Sequence, residues 1–193
     1  MKIVHVSIEG ISEMCQSRFH DTPKLQKELP HDYEGRTWRN KLHINDDGYV
    51  EVTALMWKNS IGGAAKYLSL QVPGKGKSTY TKHFEAGILV LENSATNVKV
   101  DDVKGDWMLL PSDGVAGSGK RVKKCMPKIP KGWQANVIFH VIDDIITEDV
   151  FRKHLSTAGL LIGIGTFRPR NRGLLGRFMI KDMKWEEQDI TKI

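Results

Sequence analysis

The 193-residue sequence predicts an α+β fold of the ferredoxin-like kind, an antiparallel sheet with helices on one face and basic loop insertions. Three observations carry this. The chain opens on an alternating stretch, "KIVHVSIEGI". Its last third reads strand, helix, glycine-rich loop, strand. The segments between hold hairpin signals and a further helix rather than a regular βαβ repeat. Strands interleaved with helices and hairpins favour α+β over a doubly wound parallel sheet. Hydrophobic residues make up 40% of the chain, enough for a packed core and too many for a disordered one. The organisation that follows is a single domain over 1–193 with insertions at about 17–45, 72–84 and 111–132.

In "KIVHVSIEGI", Val4, Val6 and Ile8 share one parity while Ile3, His5, Ser7 and Glu9 share the other, the pattern of a half-buried strand. The polar stretch 17–45 carries Pro23 and Pro30, lacks a clean period, and reads as a long excursion with one helical turn. "HINDDGYVEV" sets the Asp47–Gly48 turn signal between two short strands, a hairpin. Thr53 caps a helix over "ALMWKNSIGGAAKYLSL", where Leu55, Met56, Ile61, Ala65 and Leu68 fall near helical spacing. Gly62 and Gly63 either weaken that helix or let it sit tight against a sheet. "QVPGKGKSTYTKHFEAG" reads as a basic loop, "GILVLENSATNVKV" as strand and turn, and "KGDWMLLPSDGVAGSGKRVKKCMPKIPKGW" mostly as loop.

"WQANVIFHVID" is a strand with Ala135, Val137, Phe139 and Val141 on one face. Thr147 caps the next helix, and Glu148 and Asp149 favour its positive end. Val150, Phe151, His154, Leu155 and Ala158 supply the buried stripe, until Gly159 or Gly163 stops it. "GRFMIKDMKWEE" closes the fold, alternating Phe178, Ile180 and Asp182 against Arg177, Met179 and Lys181. Trp133 and Trp185 bracket this last unit as core or sheet-edge residues.

Several function classes drop out. Two distant cysteines, Cys15 and Cys125, make neither a disulfide framework nor a zinc site, and a reducing cytoplasm is the simplest location. No apolar run approaches the ~18 residues of a membrane span. A P-loop ending in Gly76-Lys77-Ser78 would need a glycine where Gln71 stands, and "GSGKRV" puts Arg121 where the magnesium-binding hydroxyl belongs. No metal site and no cofactor is expected. The net charge of +6 is a modest basic excess that suits nucleic acid or another anionic surface.

Chemistry concentrates in "GIGTFRPRNRGLLGRF", which holds four glycines, four arginines and no acid. Gly163, Gly165, Gly173 and Gly176 would let backbone amides approach a phosphate, as nests do. Arg168, Arg170 and Arg172 alternate in an extended "RPRNR", and Arg177 follows, all able to track phosphates or stack on bases. Phe167 and Phe178 flank the loop as stacking faces. A second tract, Lys120, Arg121, Lys123 and Lys124, lies in a stretch free of acids from Gly114 to Ile142 and suits an arm closing over a polyanion. A third, Lys75, Lys77 and Lys82 with Tyr80 and His83, suits a mobile basic-aromatic finger. Against each stands the plainer reading of a solvated surface loop. Trp38, between Arg36 and Arg39, is a further base-stacking candidate.

Strand, helix, "GIGTFRPRNRGLLGRF" and closing strand together resemble the RAMP superfamily of RNA-binding proteins, above all the backbone subunits of CRISPR effector complexes. "GYVEVTALMWKNSIGGAAKYL" is similar to their first-helix region, and "AGLLIGIGTFRPRNRGLLGRF" is similar to small phage and prophage proteins sharing this loop. The resemblance covers about half the chain. It implies an RRM-like sheet, a groove for single-stranded RNA, and side-by-side stacking into homo-oligomers or helical filaments.

The leading expectation is thus a non-enzymatic, largely sequence-independent binder of single-stranded DNA or RNA, without membrane association. A phage origin would place it in the host cytoplasm, in replication or recombination. The alternatives are a RAMP-type endoribonuclease using His20, Asp21 or His31, and a phage protein that mimics a CRISPR subunit. His5, His140 and His154 sit within regular elements and read as structural.

Overall fold

The computed structural model describes residues 1–112, 114–115 and 119–188. β1 (Lys2–Gly10) buries Val4, Val6 and Ile8 and lies inside an antiparallel sheet. It pairs on one side with β8 (Gln134–Val141), from Lys2↔Val141 to Glu9↔Gln134, and on the other with β9 (Phe178–Glu187). Beyond β8 come β5 (Ser94–Lys99) and then β3 (Tyr49–Val52), while the short β4 (Ile88–Leu89) pairs the opposite end of β8. One helix, α2 (Ala54–Leu68), connects the β1 half to β4 and β5, and another, α4 (Glu148–Thr157), connects β8 to β9. The resulting order, β9–β1–β8 with β4 and β5 at the edge, is the ferredoxin-like arrangement.

Both helices start as the sequence predicts. The Thr53 hydroxyl accepts from the Met56 amide at 3.2 Å, and Thr147 accepts from Val150 at 3.5 Å. Between helices and sheet lies the core. Trp57 of α2 meets Phe178 edge-on at 5.4 Å and lies 6.5 Å from Trp133, while Phe139 and Phe151 meet edge-on at 5.3 Å. Each such fully buried side chain contributes about 2–3 kcal/mol by removing its apolar area from water. The opposite face of the sheet presents Ile3, His5, Ser7, Asn136, Ile138 and His140, which line shallow surface pockets.

Several expectations need correction. The stretch read mostly as loop is a long hairpin of β6 (Lys104–Pro111) and β7 (Arg121–Ile129), paired from Lys104↔Lys128 to Pro111↔Arg121. Its apolar run, Trp107 to Leu110, does not alternate, and its partner strand is cationic, so neither half carries a strand signature. With β2 (Met14–Cys15) it forms a second sheet. Gly117 and Ser118 of "GSGKRV" lie outside the described residues. The Asp47–Gly48 turn closes through the Gly48 amide on the Asn45 carbonyl at 3.0 Å, but its first arm is only the bridge Ile44↔Val50. In β9, Lys181 is an extra residue between the pairs Ile8↔Ile180 and Ser7↔Asp182. This bulge makes Met183 and Trp185, not Asp182, continue the inward face.

The 17–45 excursion holds α1 (Pro30–Thr37), followed by a 3-10 turn, Trp38–Lys41. Trp38 is 8% exposed and sits against Gly105, where a Cβ would come within 2.9 Å of its ring, so it is no free stacking platform. Glu34 fastens α1 to the hairpin. Its carboxylate accepts from Lys41 and Lys124, both at 2.5 Å, and from the Cys125 amide at 3.3 Å. Burial pushes this carboxyl up, but Lys124 and Lys41 outweigh it and hold it below the ordinary carboxylate value.

Removing this carboxylate strands Lys41, whose side chain is 9% exposed. Glu34→Ala is expected to cost about 3 kcal/mol in urea unfolding. Because the folded-state value is lowered, the stabilisation is complete above the ordinary carboxylate range and is lost as pH falls through the folded value. A pH series of urea midpoints should therefore show wild type and Glu34→Gln converging in acid and separating toward neutrality.

Candidate nucleic-acid interface

The segment after α4 is built by backbone stitching. α4 runs into a π turn, Ala158–Ile162, which ends at Gly163 in a positive-φ conformation, so Gly163 rather than Gly159 stops the helix. The Ser60 hydroxyl of α2 donates to the Gly163 carbonyl at 3.0 Å. The loop then folds back on itself and onto β2. Ile164 donates to Gly176, Gly176 to Glu13 and Thr166 to Cys15, at 2.9, 2.7 and 2.7 Å. "RPRNR" is not extended. Pro169–Asn171 make a 3-10 turn and Arg172 adopts a left-handed conformation, because Asn171 and Gly173 both donate back to the Arg168 carbonyl.

The glycines serve this compaction. A Cβ at Gly173 would fall 1.7 Å from the Phe167 carbonyl oxygen, and one at Gly176 would fall 1.9 Å from that of Ile164, with φ at +73°. Gly165 lies similarly close to the Cys15 carbonyl. The amides of Gly163, Gly173 and Gly176 all donate within the chain, so they are not the open phosphate nest that the glycine pattern suggests.

The arginines are different. None of the ion pairs among the described residues involves Arg168, Arg170, Arg172 or Arg177. Arg168 is half-buried, and its Nε is enclosed without a hydrogen-bond partner. Burial, and then the nearby charge of Arg170, hold this guanidinium below its ordinary value. The exposed Arg170 lies over α2 at Gly63, where a Cβ would come within 2.7 Å of its Nη1. Arg172 is exposed. Arg177 is committed to the loop, donating to the Leu160 and Leu174 carbonyls, both at 3.1 Å. Phe178 is 1% exposed and belongs to the core. Phe167 instead lines a cleft of about 460 Å³ shared with Thr166, Ser17 and Lys41 on one side and Val122 and Lys124 of the hairpin on the other.

No family model and no curated protein matches the sequence. Among solved structures, the chain is similar to the cryo-EM structure of Type III-B Cmr-beta bound to cognate target RNA, with TM-score 0.54 and 11% identity. That match covers 95% of this chain and 60% of the other, so this chain spans less than two thirds of that one. It is also similar to the crystal structure of Cmr6 from Pyrococcus furiosus, with TM-score 0.51 and 12% identity over 93% of this chain and 98% of that one.

The chain shares its α+β, ferredoxin-like fold with both structures. Within it the remaining predicted residues separate. Lys120, Arg121 and Lys123 are exposed at the tip half of the hairpin, while Lys124 is held by Glu34. Lys75, Lys77 and Lys82 are exposed and do not line the cleft. The finger expected there is partly α3 (Thr81–Gly87), with Tyr80 and His83 buried and His83 Nδ1 2.7 Å from Asp143. His20 and Asp21 share a second pocket, of about 520 Å³, with Arg18, Phe19 and Arg39. His31 does not line it and stacks on Trp107 at 4.2 Å. His154 is buried against Phe84 at 4.1 Å, and burial lowers its pKa. No helix among the described residues is long and apolar enough to cross a membrane.

Two features escaped the sequence reading. The Phe167 cleft joins residues more than forty positions apart, so no local signal marks it. Arg18 and Arg39 stand far apart in the sequence, yet they line one pocket. The compaction of the loop makes a test of its own. Gly173→Ala must displace the Phe167 backbone and is expected to cost about 2 kcal/mol or more in thermal or urea unfolding. The wild-type midpoint in that variant would show that the loop has room the close approach denies.

Proposed function

We propose that this chain binds single-stranded nucleic acid over the arginines of the 163–177 loop and the neighbouring cleft that Phe167 shares with the β6–β7 hairpin, largely without regard to sequence, and that copies assemble side by side along the strand. The observation that carries this is the loop's set of guanidiniums without carboxylate partners among the described residues, above all the half-buried Arg168 beside Arg170. Two neighbouring cations, one partly desolvated and without a counter-ion, are relieved when an anion joins them, and a phosphate accepts from guanidinium in a bidentate manner. Lys120, Arg121 and Lys123 extend the positive surface along the hairpin, and Phe167 offers a stacking edge in the cleft. The RNA named with the Cmr-beta structure supports the same reading by analogy of fold.

Assembly is supported by an apolar patch beside the loop. Leu160, Leu161 and Leu174 are 49%, 46% and 74% exposed, and Arg177 ties the carbonyls of the first and last together. A neighbouring copy covering this patch would continue the groove. RNA in a CRISPR-like complex and single-stranded DNA in phage replication or recombination are the two settings this chemistry suits.

Binding is tested by a salt series on single-stranded DNA, single-stranded RNA and duplexes. Log K should fall linearly with log salt for at least one single strand, with the strand recovered intact. An Arg168→Ala/Arg170→Ala/Arg172→Ala variant should flatten the slope by about 0.7 for each phosphate it no longer neutralises. A folded variant with the wild-type slope overturns the reading. Assembly is tested separately by sedimentation on long strands. Leu160→Ser/Leu161→Ser, which adds no charge to the loop, should leave binding to a short strand intact and abolish the large species on a long one.

A further inference from the structure

We infer that residues 18–22 and 39–44 form a pocket for one nucleobase of the bound strand, with Phe19 as its stacking surface and Asp21 selecting bases that carry an exocyclic amino group. This rests on the strand-binding reading above and adds a base preference to it. The pocket, of about 520 Å³, is roomy enough for a nucleotide. Leu42 and Ile44 give it an apolar floor, and Arg18 and Arg39 contribute guanidiniums that take part in no ion pair among the described residues. Phe19, which also lines it, is 87% exposed. An aromatic ring so far from the core gains nothing from folding, whereas a nucleobase stacked on its face would shield it from water.

The walls are held in place. The Arg18 amide donates to the Lys41 carbonyl at 2.8 Å, tying the two segments together. Asn40 Nδ2 donates to Thr22 Oγ1 at 2.8 Å, His20 Nδ1 lies 3.1 Å from the same hydroxyl, and the Tyr33 hydroxyl donates to the Thr22 carbonyl at 2.8 Å. Arg39 is fixed over the Trp38 ring, 4.2 Å from its centroid. Phe19 and Asp21 are thus presented on an ordered frame.

The pocket adjoins the cleft. Ser17 and Lys41 line the cleft, and their chain neighbours Arg18, Asn40 and Leu42 line the pocket. A strand lying along Phe167 in the cleft can therefore pass a base across the 16–18 segment. Asp21 is the acid among the pocket's lining residues. A carboxylate accepts from the amino group of cytosine or adenine and repels the carbonyl that uracil or thymine presents instead.

The test compares short cytosine and uracil (or thymine) homopolymers, in whichever sugar binds more tightly in the salt series. Wild type, Phe19→Ala, Asp21→Asn and the triple arginine variant are assayed together by fluorescence anisotropy. Wild type should prefer cytosine. Phe19→Ala should weaken cytosine binding about 5- to 100-fold while keeping the salt slope, since it removes a stacking surface and leaves the phosphate-binding cations in place. Asp21→Asn should bring the two homopolymers together. Equal wild-type affinity for both, or wild-type affinity in Phe19→Ala, overturns the base pocket. If the triple arginine variant still flattens the slope in that case, strand binding stands without the pocket. If it too behaves as wild type, both readings fall.

Discussion

The backbone ladder that lays the 163–177 loop against β2 sets the position of the candidate site's arginines. Three hydrogen bonds, from Ile164 to Gly176, Gly176 to Glu13 and Thr166 to Cys15, consume the polar groups of the loop's base. They are possible because carbonyl oxygens come closer to Gly173 and Gly176 than any side chain allows. With the base so tightly closed, "RPRNR" folds as a 3-10 turn that exposes Arg170 and Arg172 and half-buries Arg168, and no carboxylate among the described residues pairs with them. The glycine pattern thus acts through the arginines it presents, and its own amides are already occupied.

A second constraint acts at the far side of the cleft. Glu34, Lys41 and Lys124 form one cluster around the buried Glu34 carboxylate, joining α1 and the turn that follows it to the distant hairpin. The carboxylate is desolvated, a cost that the two ammonium groups and the Cys125 amide offset. Its geometric consequence is that the hairpin faces the Phe167 side of the loop. The cleft therefore depends on two unrelated devices, main-chain packing under one wall and an ion cluster under the other.

The elements that were legible are those whose periodicity reflects one buried face. β1, β8, α2 and α4 each read correctly, down to the caps Thr53 and Thr147, since local capping chemistry and alternation are both written in neighbouring residues. The hairpin was not legible, because β6 is exposed along most of its length and β7 turns inward only past Lys124. Within the candidate site, the residue types were legible and their states were not. Lys124 and Lys123 look identical in the sequence, yet one is tied to Glu34 and the other is exposed. Arg177 resembles Arg170 just as closely, yet it is spent on two carbonyls of its own loop.

Local pattern alone determined the sheet's core strands, the starts of both covering helices, and the concentration of arginine and glycine after the second helix. Those features depend on interactions spanning a few residues, where propensity and capping decide. Tertiary structure alone decided which cations lack partners, which aromatics are open, and which segments share a cleft. Pairing is a competition among groups far apart in the chain. Only the folded arrangement brings Glu34 to Lys124 and leaves Arg168 without a carboxylate partner among the described residues.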